Sequence, residues 1–168
     1  MEITKRDRLI LINQYRILAS LNKNEADHYE ELISILENGY AIFYSQLDEW
    51  ISDEMPEDEG RFVLEVLDLY RAIEDVKRAS KDNRLLAHRY SFFRGFDGNN
   101  ETDHMSFCRF LIEKQGKYQE QKQYLLKNDN LNSHMPMIEK YSRMLDEAKS
   151  LPDKWSMNAD EALRVMDA

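Results

Sequence analysis

The chain has 168 residues, a single cysteine and a formal net charge of −9. That length is about one domain, with enough interior to hold together without staples. Cys108 alone excludes an intramolecular disulfide and a Cys-rich zinc module. The acidic balance disfavours nucleic acid as a partner of the whole surface while leaving a local basic patch open.

At the N-terminus Lys5, Arg6 and Arg8 precede Leu9-Ile10-Leu11-Ile12. That run is too short for a secretory core of about 7–15 apolar residues. No stretch approaches the roughly 20 apolar residues that span a bilayer. The expectation is a cytoplasmic protein without a membrane segment. Only five glycines and three prolines, 33% charged residues and apolar residues at helical spacing indicate an all-α fold.

Thr4 with Asp7 predicts a helix start, and the helix runs to about Leu21. Ile10, Leu11, Tyr15, Ile17, Leu18 and Leu21 fill one broad arc, from which Leu9 and Ile12 point away. A helix apolar nearly all round is buried on several sides, either as a central core helix or with a subunit contact in addition, for which Leu9 and Ile12 are the candidates. Asn24 with Asp27 predicts a second helix carrying Tyr29, Leu32, Ile33 and Leu36, closed by Gly39. The stretch 40–51 is less regular; Ser45 with Asp48 suits one or two turns that would bury Leu47, Trp50 and Ile51.

Pro56 suits the first turn of a long helix, followed at once by Glu57, Asp58 and Glu59. Phe62, Val63, Val66, Leu67, Leu69, Tyr70, Ile73 and Val76 make it a main core element that ends near Ser80. A short helix is expected over 84–89, then an irregular, partly buried connection over 91–98. A helix over about 101–115 turns Met105, Cys108, Leu111 and Ile112 inward, and 117–133 reads mostly as loop. From Pro136 a narrow stripe of Met137, Ile138, Tyr141, Met144, Leu145 and Ala148 predicts another helix. Asn158 with Glu161 has capping-box spacing for a last one. The reading is one multihelical domain over residues 1–168, with six or seven helices and irregular connections.

Several of these segments together resemble the YfbU family of small bacterial helical proteins. The resemblance rests on Thr4 with Arg8-Leu9-Ile10-Leu11 and Asn13-Gln14-Tyr15, on Gly39-Tyr40, and on Phe92 with Gly95-Phe96-Asp97. It continues at Gly116 with Tyr118, at Pro136-Met137, Glu139-Lys140-Tyr141 and Arg143-Met144-Leu145, and at Asn158-Ala159 with Glu161. It implies an all-α fold and a bacterial origin, and it brings no catalytic residues with it.

Three constellations carry candidate chemistry. His104 and Cys108 share a helical face at i, i+4, with Asp103 and His134 as conceivable further ligands for zinc, or the imidazole as a base for the thiol. The competing reading is that Cys108 is a small core residue. An acidic block of Asp48, Glu49, Asp53, Glu54, Glu57, Asp58 and Glu59 lacks the order of an EF-hand loop and reads chiefly as helix-start acids around a solvated turn. A basic block of Lys77, Arg78, Lys81, Arg84, Arg89 and Arg94, interleaved late with Tyr90, Phe92, Phe93 and Phe96, could hold phosphates and stack bases. Aromatics in an irregular segment more commonly anchor it to the core.

The expectation is therefore a non-enzymatic interaction protein that self-associates. Its partners would be a second copy and other proteins, not nucleic acid or a membrane, with no cofactor. A nucleic-acid-binding accessory protein using 77–96 and a small metal- or thiol-dependent enzyme around His104 and Cys108 are the alternatives.

Overall fold

A computed structural model describes residues 3–168 of the chain. Among them are seven α-helices and several short 3-10 turns, with no strand and one isolated bridge between Phe96 and Asn132. The all-α reading holds. No described helix is long and apolar enough to cross a membrane. The chain divides into two compact units, 1–54 and 55–168.

The first unit is a helical hairpin, α1 (Lys5–Leu21) and α2 (Ala26–Asn38), followed by a 3-10 turn Ala41–Leu47. Thr4 and Asp7 cap α1 reciprocally, the Thr4 hydroxyl accepting from the Asp7 amide and the Asp7 carboxylate from the Thr4 amide. The expected opener of α2, Asn24, instead lies in a 3-10 turn, Lys23–Glu25, because the Asn22 amide bonds the Glu25 carboxylate. Gly39 ends α2 at φ 71°, and a Cβ there would stand 2.6 Å from an Arg8 guanidinium nitrogen. Glycine serves both needs.

The unit's core is Ile12, Leu32, Ile35, Leu36, Tyr44 and Leu47. It corrects the expected orientation of α1. Ile12 is inward, at 7% exposure, whereas Ile10, Ile17, Leu18 and Leu21 of the supposed core arc are exposed together with Leu9. The reason is a set of polar and aromatic pins on the Ile12 side. Arg8 donates to the Leu36 carbonyl at 3.0 Å, Arg16 pairs with Glu37 at 2.6 Å, and Tyr15 stacks on Tyr29. In the stretch after α2, Leu47 is buried as expected, but Trp50 and Ile51 are exposed, at 80% and 59%.

The second unit is built on α3 (Glu57–Ser80), whose Val63, Val66, Leu67, Tyr70 and Ile73 are completely buried. Around it stand α4 (Asn83–Ala87), α5 (Thr102–Arg109), α6 (Ile138–Lys149) and α7 (Ala159–Asp167). A π turn, Phe110–Lys114, extends α5. The capping box of Asn158 and Glu161 opens α7 as its spacing predicts. An aromatic cluster of Tyr70, Phe93, Phe96 and Tyr141, with centroids 5.4–5.8 Å apart, joins α3 and α6 to the connection between α4 and α5.

That connection is held without regular structure. The Asn128 amide donates to the Phe93 carbonyl, and its oxygen accepts from the Leu131 amide. Phe96 exchanges backbone bonds with Leu131 and Ser133, and the Tyr141 hydroxyl donates to the Gly95 carbonyl. At Gly95, φ is 86° and a Cβ would collide with the Leu131 carbonyl, so only glycine fits. The stretch 117–133, expected to be mostly loop, supplies a 3-10 turn Gln119–Tyr124 and buries Gln121, Asn128 and Leu131.

Candidate functional site

Over 91–94 burial alternates along an irregular backbone. Phe93 is driven into the core while Phe92 and Arg94 face outward. Together with Lys77 from α3, Arg89 and Ser91 before them, and Tyr124 and Lys127 from the following turns, they line a cavity of about 410 Å³. Four cations line it, and no carboxylate does. In a chain of net charge −9 that is a pronounced local inversion.

The floor is fixed by Lys77, 8% exposed. Its ammonium donates to Glu74 Oε1 at 2.6 Å, to the Ser91 carbonyl at 2.6 Å and to the Tyr124 hydroxyl at 3.0 Å. Tyr124 in turn donates to Glu74 at 2.8 Å. Burial first, and that bond second, push the Tyr124 phenol well above its ordinary value, so it stays a donor. All three protons of Lys77 are engaged, and Glu74 balances its charge.

The wall is different. Phe92 stacks on Tyr124 with centroids 5.0 Å apart, and the Arg94 guanidinium lies 4.9 Å over Phe92. Lys127 lies within 6 Å of both rings, at 5.9 and 5.7 Å. Arg89 lies 4.7 Å over Tyr90, and Lys140 stands 4.4 Å from the same ring. Among the described residues Arg89, Arg94 and Lys127 make no ion pair with a carboxylate. His88 at the rim accepts from the Tyr90 amide at Nδ1 and meets Asp167 through Nε2 at 3.0 Å.

The structure thus divides the basic block. Lys77, Arg89 and Arg94 line one cavity. Arg78 pairs with Asp75, Arg84 with Asp82 and Asp160, and Lys81 lies outside the cavity, ending α3 at φ 53°. Hydrogen bonds to Asp82 above all raise the Arg84 guanidinium, and the same bond lowers the Asp82 carboxyl. Of the interleaved aromatics, Phe93 and Phe96 are core. Tyr124 and Lys127 are not legible in the sequence because no helical period runs through 117–133. Their three-residue spacing was the one local signal.

The other constellations disperse. The Cys108 thiol is fully buried and burial raises it well above its ordinary value, so it is held protonated. His104 packs against Phe96 and Phe62 at 5.3 and 6.1 Å. Asp103 is exposed, and His134 meets Asp129 at 2.9 Å. Among the described residues no group of three or more His, Cys, Asp or Glu side chains is arranged to hold a metal ion. Glu57, Asp58 and Glu59 lie in the first turn of α3, where Glu57 pairs with Arg61. Of the candidate interface pair, Leu9 is exposed at 58% and Ile12 is core.

A family model described as the YfbU domain matches residues 1–168. A curated UPF0304 protein of Methanocaldococcus jannaschii is 44% identical over 169 residues, covering 99% of each chain.

Proposed function

The chain belongs to the YfbU family, and from that premise we propose that it is a cytoplasmic interaction protein that self-associates through its first unit. One observation carries the reading. Ten of the fifteen large apolar side chains that are exposed among the described residues lie between Leu9 and Ile51. Scattered exposed apolar residues are ordinary, but a concentration of them marks an interaction surface.

A second copy is the occupant that suits this surface. Ile10, Gln14, Ile17 and Leu21 recur on the outward face of α1 at steps of four, three and four, the spacing by which two helices interlock. A stripe of this kind meets its own counterpart across a two-fold axis. Gln14 would act as the polar residue in the seam that fixes register. Covering each of the apolar residues fully is worth about 1.5–3 kcal/mol relative to full exposure. A stable dimer covers roughly 800 Å² on each partner, more than a single row of one helix, and Ile42, Phe43, Trp50 and Ile51 offer further apolar area in the same unit. A free, buried Cys108 suits a reducing compartment.

Sedimentation equilibrium at micromolar concentration tests the proposal, with the wild type beside an Ile10→Asp, Ile17→Asp variant. The expected result is a wild-type mass of a dimer or more, and a variant that is monomeric with unchanged helical circular dichroism. A monomeric wild type, or a variant of unchanged mass, would overturn it.

A further inference from the structure

The cavity between Lys77, Arg94 and Lys127 lies in the second unit, and its chemistry is independent of self-association. From it we infer that the protein binds a small phosphorylated anion, a phosphate or diphosphate ester, with Arg94 and Lys127 as its principal ligands and Arg89 at the edge.

Three features on this surface lead there. The cavity, about 410 Å³, falls in the range of sites for small molecules. Its unpaired cations have no carboxylate beside them in the lining, although the chain carries nine more negative charges than positive ones. Those cations are held in place by rings. Arg94 rests on Phe92, Phe92 stacks on Tyr124, and Tyr124 is fastened to Glu74 and Lys77 in the floor. Positioned guanidinium and ammonium groups recognise phosphate oxygens by short charge-assisted hydrogen bonds, with little left to reorganise on binding.

The same geometry argues against a single-stranded nucleic acid. Bases need free aromatic faces, whereas Phe92 already carries Tyr124 and Arg94, and Tyr90 carries Arg89 and Lys140. A backbone would also need a continuing track of cations, yet Arg78 and Arg84 along the chain are paired with acids. The neutralised Lys77 supports the wall; it is not a ligand.

Isothermal titration calorimetry of the whole protein with inorganic pyrophosphate tests the inference, with ribose 5-phosphate as a second probe that separates an ester from the free anion. Arg94→Gln, Lys127→Gln and, as a cation outside the cavity, Lys81→Gln are compared with the wild type. The expected result is saturable binding of one or both probes, one per chain. Losing one charge-assisted bond weakens it by about tenfold in Arg94→Gln and in Lys127→Gln, and it is unaltered in Lys81→Gln. Wild-type amide shifts on titration should centre on Ser91, Arg94, Tyr124 and Lys127, a readout that needs no variant to fold. Absence of saturable binding by either probe, equal weakening in all three variants, or shifts centred elsewhere would overturn the inference. So would an oligothymidylate that binds and is not displaced by pyrophosphate.

Discussion

Cys108, Tyr70 and Tyr141 are fully enclosed groups whose protons the fold retains. Burial raises all three above their ordinary values of 9.0, 10.0 and 10.0. The unfolded chain sheds these protons near the ordinary values while the folded chain keeps them. The stability they contribute is therefore complete below about pH 9 and declines as pH rises above it, by up to about 1.4 kcal/mol per pH unit for each group. Urea midpoints measured from pH 7 to pH 11 should fall from pH 9 upward. Cys108→Ala should remove the first part of the fall and lower the midpoint modestly at pH 7. Midpoints unchanged to pH 11 would mean that these groups are not enclosed as described. A buried Cys108 is one of two readings that its spacing from His104 allows. Only the packing around it decides, because i, i+4 places a thiol and an imidazole on one face whether that face meets solvent or the hydrophobic core.

At the scale of elements, caps made by nearby residues are the legible part of the fold. Thr4 with Asp7 and Asn158 with Glu161 each form the reciprocal pair that their spacing predicts, and Pro56 immediately precedes α3. α6 is different. Its own N-terminus has no side-chain cap, and Glu101, from before α5, accepts from the Met137 and Ile138 amides at 2.7 and 2.9 Å and from Asp97 at 2.9 Å. A buried carboxylate with three amide donors is a strong cap reaching across the sequence. Glu101→Ala should cost about 2–3 kcal/mol in urea denaturation, and more than Asn158→Ala, whose cap is exposed. Equal losses would contradict the assignment. Side-chain bonds to backbone also explain why 117–133 reads as loop in the sequence. Its order comes from Gln119 on the Ile112 carbonyl, Arg109 on the Asn130 carbonyl and Asn128 on the Phe93 carbonyl. Left-handed residues at 129, 130 and 131 leave no apolar period to read.

At the scale of the whole molecule, composition predicts the class but not the placement of charge or of apolar surface. Net charge −9 conceals a cavity without a carboxylate in its lining, since part of its wall comes from Tyr124 and Lys127, far along the chain from Arg94. The basic block was visible in the sequence; which half of it acid neighbours neutralise was not. The same limit applied to α1. A helix apolar nearly all round cannot announce which side its partner takes, and the pins made by Arg8, Tyr15 and Arg16 turn Ile12 inward and leave Ile10, Ile17 and Leu21 outside. Self-association through that outer row is the central claim. The most direct measurement replaces Ile17 by cysteine and follows oxidative cross-linking by mass. Cys108 is buried and does not compete, and Ser106→Cys, exposed on α5, serves as the control. Covalent dimer forming rapidly with Ile17→Cys and slowly or not at all with Ser106→Cys is the predicted result. Monomer alone in both, or equal linking in both, would contradict it.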